Sequence, residues 1–260
     1  MYTRGTFLIS WALGLAALSG CAGLNERQQA WLTEGEEAYR AKRYNVAVER
    51  LSLLIDEVKD RPTAARARYV RGMTYSLAGQ RALAYADLEQ AARDAKDPDV
   101  AWRADAVLGV LCFEDEKWAA AAAALARAAD KMPSAPPLDA LLYRLGLCQE
   151  RMGHWAEAQI AYRRIVSSFP GGAYAQNASR RLELNAEHFA IQCGVFSQPR
   201  IADSRVAELR QRGLAAYVRP ETRKGQGYYV VLVGRYDSYT DAKLALAKVR
   251  GYVPSAVLWP

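Results

Sequence analysis

Two patterns of apolar residues divide the chain. Between residues 28 and 185 the apolar side chains recur three or four positions apart, whereas from His188 onward they alternate with polar ones. The first pattern is typical of amphipathic helices and the second of half-buried β-strands. We therefore predict two domains, an all-α region followed by a small α+β domain.

The helical region repeats with a period of 37 residues. Each repeat has a glycine, an alanine twelve residues later and a large apolar residue four positions further on: Gly35, Gly72, Gly109 and Gly146; Ala47, Ala84, Ala121 and Ala158; Leu51, Leu88, Leu125 and Tyr162. The small residues let two antiparallel helices approach closely, so each repeat is predicted to be a helical hairpin. A fixed period of this length predicts stacked hairpins, which form an all-α solenoid.

These repeats resemble tetratricopeptide repeats, most fully in the fourth, which has Gly146, Trp155, Ala158, Tyr162 and Pro170. Four units would fill residues 28–185 together with a closing helix at 173–184, whose Arg180 and Arg181 are predicted to be solvated. The resemblance implies that the first helices line a groove for a protein or peptide. The candidate groove residues are Tyr39, Tyr69, Met73, Phe113, Tyr143 and Leu147. The same positions are equally compatible with core packing between helices.

The last 73 residues follow the order βαββαβ. Strands are predicted at 188–195, 214–219, 228–233 and 256–259, and helices at 199–213 and 238–250. This order predicts a four-stranded antiparallel sheet with two helices on one face. We expect the opposite face to be open and to present Gln192, Tyr228, Val230 and Leu232.

Two half-motifs here, Ile191–Ser197 and Tyr229–Tyr236, resemble the SPOR (sporulation-related repeat) family. The resemblance covers about residues 188–260, in a domain predicted at 186–260. It implies binding of septal peptidoglycan, as glycan strands from which amidases have removed the stem peptides. Sugar rings stack on aromatic side chains and bond to amides, which suits such a face. The implied glycan ligands are Gln192, Val195, Ser197, Tyr228, Val230 and Leu232. Gln192 is also compatible with an ordinary exposed polar residue, and Trp259 with either a groove edge or a cover of the core.

Charge supports a basic terminal domain. Residues 186–260 hold 11 Lys and Arg against 6 Asp and Glu, a net charge of +5 out of +7 for the chain. Removal of the stem peptide leaves a lactoyl carboxylate on each muramic acid, and a basic domain attracts such a polymer. Four residues are candidates for this diffuse charge, with solvated surface as the default for each: Arg219, Arg223, Lys224 and Arg235.

The N-terminus resembles a bacterial lipoprotein signal. Arg4 precedes a 12-residue apolar run, Phe7–Leu18, which is followed by Cys21 in a lipobox-like context. Such a run is shorter than the about 20 helical residues that span a bilayer. The resemblance implies a signal peptide at 1–20, lipidation of Cys21 and a tether at 21–27. Ala22 after the cysteine favours the outer membrane. An ordinary secretory leader and an N-terminal anchor helix are the alternatives.

Catalysis is not expected, because the only histidines, His154 and His188, fall in different domains and no zinc motif accompanies them. We therefore predict no metal, no cofactor and no catalytic residue, and export excludes nucleic acid as a partner. Cys112, Cys148 and Cys193 are expected as buried free thiols, with a Cys112–Cys148 bridge as the alternative.

The patterns together predict a lipid-anchored, non-enzymatic adaptor that faces the periplasm. Its expected location is the cell envelope, at the outer membrane and enriched at the division septum. Its expected partners are denuded glycan strands and a protein in the repeat groove. The alternative is an outer-membrane scaffold for assembly of a membrane or secretion complex, with a protein-docking terminal domain.

Overall fold

The computed structural model describes residues 23–223 and 225–260. Cys21 and the predicted signal peptide lie outside the described residues, as does Lys224. The chain divides into two compact units, of which the first ends at Ala95 and the second is Lys96–Pro260. The predicted boundary between helical repeats and terminal domain, at 185/186, lies inside the second unit.

The first unit contains two helical hairpins, α1 (Glu26–Arg40) with α2 (Tyr44–Glu57) and α3 (Arg61–Leu77) with α4 (Arg81–Asp94). Asn25 caps α1 through its side chain, which accepts a hydrogen bond from the backbone N–H of Gln28. A Cβ atom added at Gly35 would lie 2.7 Å from Leu51 Cγ. Only glycine therefore permits this helix spacing, as the repeat pattern predicts.

The second unit continues the pattern with α5 (Pro98–Glu114), α6 (Trp118–Lys131), α7 (Leu138–Arg151), α8 (Trp155–Ser168) and the closing helix α9 (Ala175–Leu184). A Cβ atom at Gly109 would lie 2.7 Å from Leu125 Cγ, so the close approach of the first unit is repeated. The second helices of the hairpins begin at Tyr44, Arg81, Trp118 and Trp155, 37 residues apart. The predicted period is thus confirmed.

The terminal domain is β1 (Phe189–Phe196), α10 (Pro199–Gln211), β2 (Ala216–Arg223), β3 (Gln226–Tyr236), α11 (Tyr239–Val249) and β4 (Val257–Trp259). The strands lie in the order β2-β3-β1-β4, and every neighbouring pair is antiparallel. The predicted fold class, a helical repeat region followed by a small α+β domain of order βαββαβ, is confirmed.

One face of the sheet, called here the first face, packs against the domain's own helices. Ile191, Val231 and Val233 form a core there with side chains of α10 and α11, among them Leu209 and Leu246. Each of these five side chains is buried. Alternation along the strands predicts this packing.

The opposite face, called the second face, is covered as well. Ala190, Val230, Leu232 and Trp259 form a second core with Ala186, against which Trp155 of α8 and Leu184 of α9 pack. Val230 and Leu232 are both 0% exposed. The prediction of an open face is therefore wrong at its centre, because the last repeat and the closing helix exclude water there.

The domain also contacts the repeats through α11. The Nζ of Lys243 lies 2.7 Å from Glu116 Oε2, at the turn between α5 and α6. The guanidinium carbon of Arg151 lies 4.0 Å from the centre of the Tyr239 ring, and Trp118 meets the same ring edge-on at 5.8 Å. Repeats three and four, the closing helix and the sheet thus pack within one unit.

Candidate functional site

A polar cleft of about 990 Å³ lies between the β2–β3 hairpin and α9. The hairpin wall consists of Arg219, Pro220, Glu221, Thr222, Arg223, Gly225, Gln226 and Tyr228. The helix wall consists of Gln176, Asn177, Ser179, Arg180, Glu183 and Leu184. The cleft follows the second face beyond its covered centre, since the pairing of Glu221 with Tyr228 lies two residues past that of Arg219 with Val230, on the same face.

The hairpin wall combines an aromatic ring with charged and amide groups. The Tyr228 hydroxyl donates to Gln226 Oε1 at 3.0 Å, and the Arg223 guanidinium carbon lies 5.8 Å from the centre of the Tyr228 ring. Arg223 also donates to Glu221 Oε2 at 2.9 Å. These contacts hold Tyr228, which is half-buried, at the edge of the cleft.

Trp259 closes the centre of the second face. Its indole Nε1 donates to Glu221 Oε1 at 2.9 Å, which joins the two edge strands across β1 and β3. The Arg219 guanidinium carbon lies 4.5 Å from the centre of the indole, and Trp259 is 3% exposed. Of the two roles left open for Trp259, the structure favours the cover of the core.

His188, which directly precedes β1, packs beside Trp259 on the second face. The Nδ1 of His188 lies 3.5 Å from Arg235 Nη2 and accepts a hydrogen bond from it, because a guanidinium only donates. The neutral ring therefore carries its proton on Nε2, which lies 3.1 Å from the Tyr217 hydroxyl oxygen. Burial lowers the pKa of His188, and the positive charges of Arg235 and Arg219 lower it further. In residues 23–223 and 225–260, no cluster of three His, Cys, Asp or Glu side chains is placed to hold a metal ion.

The helix wall is fixed on both sides of α9. Arg181 donates to Glu150 Oε2 of α7 at 2.9 Å, and Glu150 is 4% exposed. Burial raises the pKa of Glu150. On the other side, the Leu184 carbonyl accepts from the Arg219 guanidinium. The prediction of a solvated Arg181 is wrong, because this side chain enters the buried pair, whereas Arg180 is exposed as expected.

The predicted glycan ligands lie in four different places. Tyr228 lines the cleft; Gln192 and Val195 are half-buried elsewhere on the second face; Ser197 is exposed after β1. Val230 and Leu232 are buried beneath Trp155, Leu184 and Trp259 and are therefore not accessible to a ligand. Gln226 was not among the predicted ligands, although the glycines on either side of it indicated the hairpin turn.

The predicted groove residues of the repeats fall into two groups that differ in burial. Tyr69, Tyr143 and Leu147 are only 5%, 9% and 5% exposed, so of the two roles left open for these residues the structure favours core packing between helices. The Tyr143 ring packs 5.1 Å from Tyr174 and therefore belongs to the packing around α9.

The three other groove candidates are half-buried. The Tyr39 hydroxyl lies 3.7 Å from Met73 Sδ in the first unit. Phe113 packs edge-on to Trp118 at 5.3 Å in the second. A partner site on the repeats therefore stays a prediction for Tyr39, Met73 and Phe113.

The cysteines of the described residues, Cys112, Cys148 and Cys193, are free and buried. Burial raises the pKa of Cys148 to about 12 and that of Cys193 to about 11. Both side chains are therefore thiols at neutral pH and pack as small apolar groups.

Family comparisons agree with the two parts of the fold. Residues 185–259 match the SPOR domain, and residues 139–172 match a tetratricopeptide repeat. The chain thus contains a SPOR domain and a tetratricopeptide repeat. Both are binding modules, the first for peptidoglycan and the second for proteins, and together they support an adaptor role.

Solved structures similar to this chain include a crystal structure of MamA protein, with TM-score 0.51, 22% identity and coverage of 62% of this chain and 82% of that one. A structure of MamA AMB-1 has TM-score 0.49, 21% identity and coverage of 61% and 80%. At 22% identity the likeness to the first of these structures shows the fold alone. No curated protein matches the chain in sequence. None of the helices between residues 23 and 260 that the structure describes has the length and apolar character to cross a membrane.

Proposed function

We propose that this protein is a non-enzymatic adaptor of the cell envelope. Its SPOR domain binds septal peptidoglycan, as glycan strands stripped of their stem peptides, and its repeats hold a protein partner. The observation that carries the proposal is the polar cleft beside Tyr228, where an aromatic ring, an amide and a guanidinium converge.

The chemistry of the cleft suits a stripped glycan. A pyranose ring stacks on the exposed part of the Tyr228 ring, while Gln226 exchanges hydrogen bonds with acetamido groups. The net positive charge of the domain attracts the lactoyl carboxylates that amidases leave behind. Stem peptides would crowd a cleft bounded on its second side by a helix, which favours the stripped polymer over the intact one.

Pelleting with sacculi tests this proposal. The full chain, purified in mild detergent, is mixed with untreated and amidase-stripped sacculi, alongside Tyr228→Ala. We expect enrichment on stripped sacculi and a loss of about tenfold in affinity for Tyr228→Ala, since one stacked ring contributes on the order of 1 kcal/mol or more. Tyr252→Ala is the matched control, because Tyr252 is a 50% exposed tyrosine of the same domain outside the cleft. Absence of binding to either preparation would favour the scaffold function instead.

The proposed location rests on the lipobox-like sequence that ends at Cys21. Lipidation there would anchor the protein to a membrane, with the outer membrane favoured by Ala22, and the SPOR domain would concentrate it at the septum. Metabolic labelling with a radioactive fatty acid tests the anchor. We expect label in the wild-type chain and none in Cys21→Ala, which should move to the soluble periplasmic fraction.

A further inference from the structure

The cleft has two walls that come from different parts of the chain. Only the hairpin wall belongs to the four-stranded sheet; the other wall is α9, the helix that closes the repeats. Its cleft residues Gln176, Arg180 and Glu183 recur three or four positions apart and so occupy one face of the helix. The closing helix therefore presents a polar stripe toward the hairpin.

Arg180 is available to a ligand. It is exposed and lines the cleft, and its guanidinium forms no ion pair or hydrogen bond with any other residue that the structure describes. Its neighbour Arg181 points instead to the buried carboxylate of Glu150 at 2.9 Å. Successive residues on a helix are about 100° apart, which explains why one arginine is buried and the next reaches the cleft.

The helix wall is held in place before a ligand arrives. The buried Arg181–Glu150 pair fixes α9 to α7, and Leu184 packs into the core of the second face. The Leu184 carbonyl also accepts from Arg219, and the Asn185 side chain accepts from Gln159 Nε2 at 2.8 Å. A wall that is already ordered costs little conformational entropy when it binds.

The described lining of the cleft is net positive, with Arg180, Arg219 and Arg223 against Glu183 and Glu221. The two glutamates of the cleft differ in their contacts. The Glu221 carboxylate accepts hydrogen bonds from Arg223 and Trp259, whereas Glu183 is exposed to solvent. Arg219 stacks on Trp259 and donates to Leu184. Among the described residues of the cleft, Arg180 is therefore the guanidinium without an internal partner, and a carboxylate is the group that pairs best with it.

We infer that α9 forms part of the glycan site, with Arg180 binding a lactoyl carboxylate of the stripped strand and Asn177 bonding to the same sugar. The inference rests on the proposed function of the SPOR domain. The site is thus composite: the sheet supplies the stacking ring, and the last helix of the repeats selects for muramic acid residues that have lost their peptide.

The test compares charge-removing variants of the full chain in the same sacculus assay. Arg180→Gln should weaken binding to stripped sacculi about tenfold, and Glu183→Gln on the same turn should bind as tightly as wild type or more tightly. Arg200→Gln is the matched control, since Arg200 is an exposed arginine on α10 outside the cleft. All three side chains are exposed, so the thermal midpoints should equal that of wild type.

The outcomes separate this inference from the function on which it rests. If Tyr228→Ala loses binding while Arg180→Gln binds as wild type, the SPOR proposal stands and the role of α9 is overturned. An equal loss in Arg180→Gln and Arg200→Gln would also overturn it, because net charge alone would then explain the effect. If the wild-type chain fails to bind stripped sacculi, the proposed function itself is wrong.

Discussion

The two faces of the SPOR sheet are both closed, but by different parts of the protein. The first face is covered by the domain's own helices, through side chains such as Leu209 and Leu246. The second face is covered at its centre by Trp155 and Leu184 of the helical region together with Trp259. The residues that cover the first face lie within a few tens of positions of the strands in the sequence, whereas the cover of the second face depends on the neighbouring helical repeats. Apolar side chains on a face without helices of its own therefore indicate an interface.

The largest expected effect on the unfolding free energy comes from truncating a buried side chain on each face. Ile191→Ala on the first face and Leu232→Ala on the second should each cost the full chain about 3 kcal/mol of unfolding free energy, since both side chains are fully buried. In the fragment 186–260 we expect Ile191→Ala to keep its cost and Leu232→Ala to cost less, because Trp155 and Leu184 are then missing. Urea unfolding measures both.

Trp259 is the only tryptophan of that fragment, so its fluorescence reports on the second face directly. Ile201→Ala is the control, because Ile201 is 48% exposed and its truncation should change the unfolding free energy by less than about 0.5 kcal/mol. Equal costs for Ile191→Ala and Leu232→Ala in the fragment would show that both faces close without the repeats.

A smaller effect is expected when only the cover is removed. Trp155→Ala should destabilise the second unit by about 2 kcal/mol, less than full loss of a buried side chain, since Trp155 is half-buried. The amides of β3 should exchange with deuterium faster, because the second face becomes accessible to water. Trp118→Ala serves as the control: Trp118 contacts Tyr239 of α11 rather than the second face. Unchanged exchange in β3 after Trp155→Ala would mean that Trp259 closes the face alone.

The sequence predicted those features that local spacing determines. The glycine that faces a leucine sixteen residues later, as Gly35 faces Leu51, determines how closely a hairpin packs, and the structure has that contact. Alternation likewise assigned Ile191 and Val233 to one face and Val230 and Leu232 to the other. Spacing alone could not reveal what covers the second group, because that depends on how α8 and α9 pack on the sheet.

The candidate site was predictable only in part, for the same reason. Tyr228 was found from the half-motif, but Arg180 and Arg181 are adjacent, identical residues in a helix, and no local pattern separates them. Their roles differ because Glu150 is buried beneath one of them and the cleft lies beside the other. Only the tertiary arrangement supplies that information.

The pH dependence of stability tests the second face through His188. Burial lowers the pKa of His188 below its ordinary value of about 6.5, so the folded state takes up a proton less readily than the unfolded state. As pH falls through 6.5 toward the lowered pKa, the unfolded state gains protons first and stability decreases; above 6.5 this contribution is constant. We expect His188→Gln to reduce the fall in thermal midpoint between pH 7.5 and 5.5. His154→Gln is the control, because His154 is exposed, and equal pH profiles for the two variants would contradict the prediction.

The smallest effect is expected where the helices of the first face touch the repeats. The Nζ of Lys243 lies 2.7 Å from Glu116 Oε2, but the two side chains remain 43% and 54% exposed. Solvent and salt therefore screen the pair. A double-mutant cycle with Lys243→Gln and Glu116→Gln should give a coupling energy of about 0.5 kcal/mol or less, decreasing further in 0.5 M salt. The contact beneath Trp155 and Leu184 would then account for most of the attachment of the domain. A coupling well above about 1 kcal/mol would instead show that the helices of the first face share in holding the sheet against the repeats, and the contrast between the two faces would be one of degree.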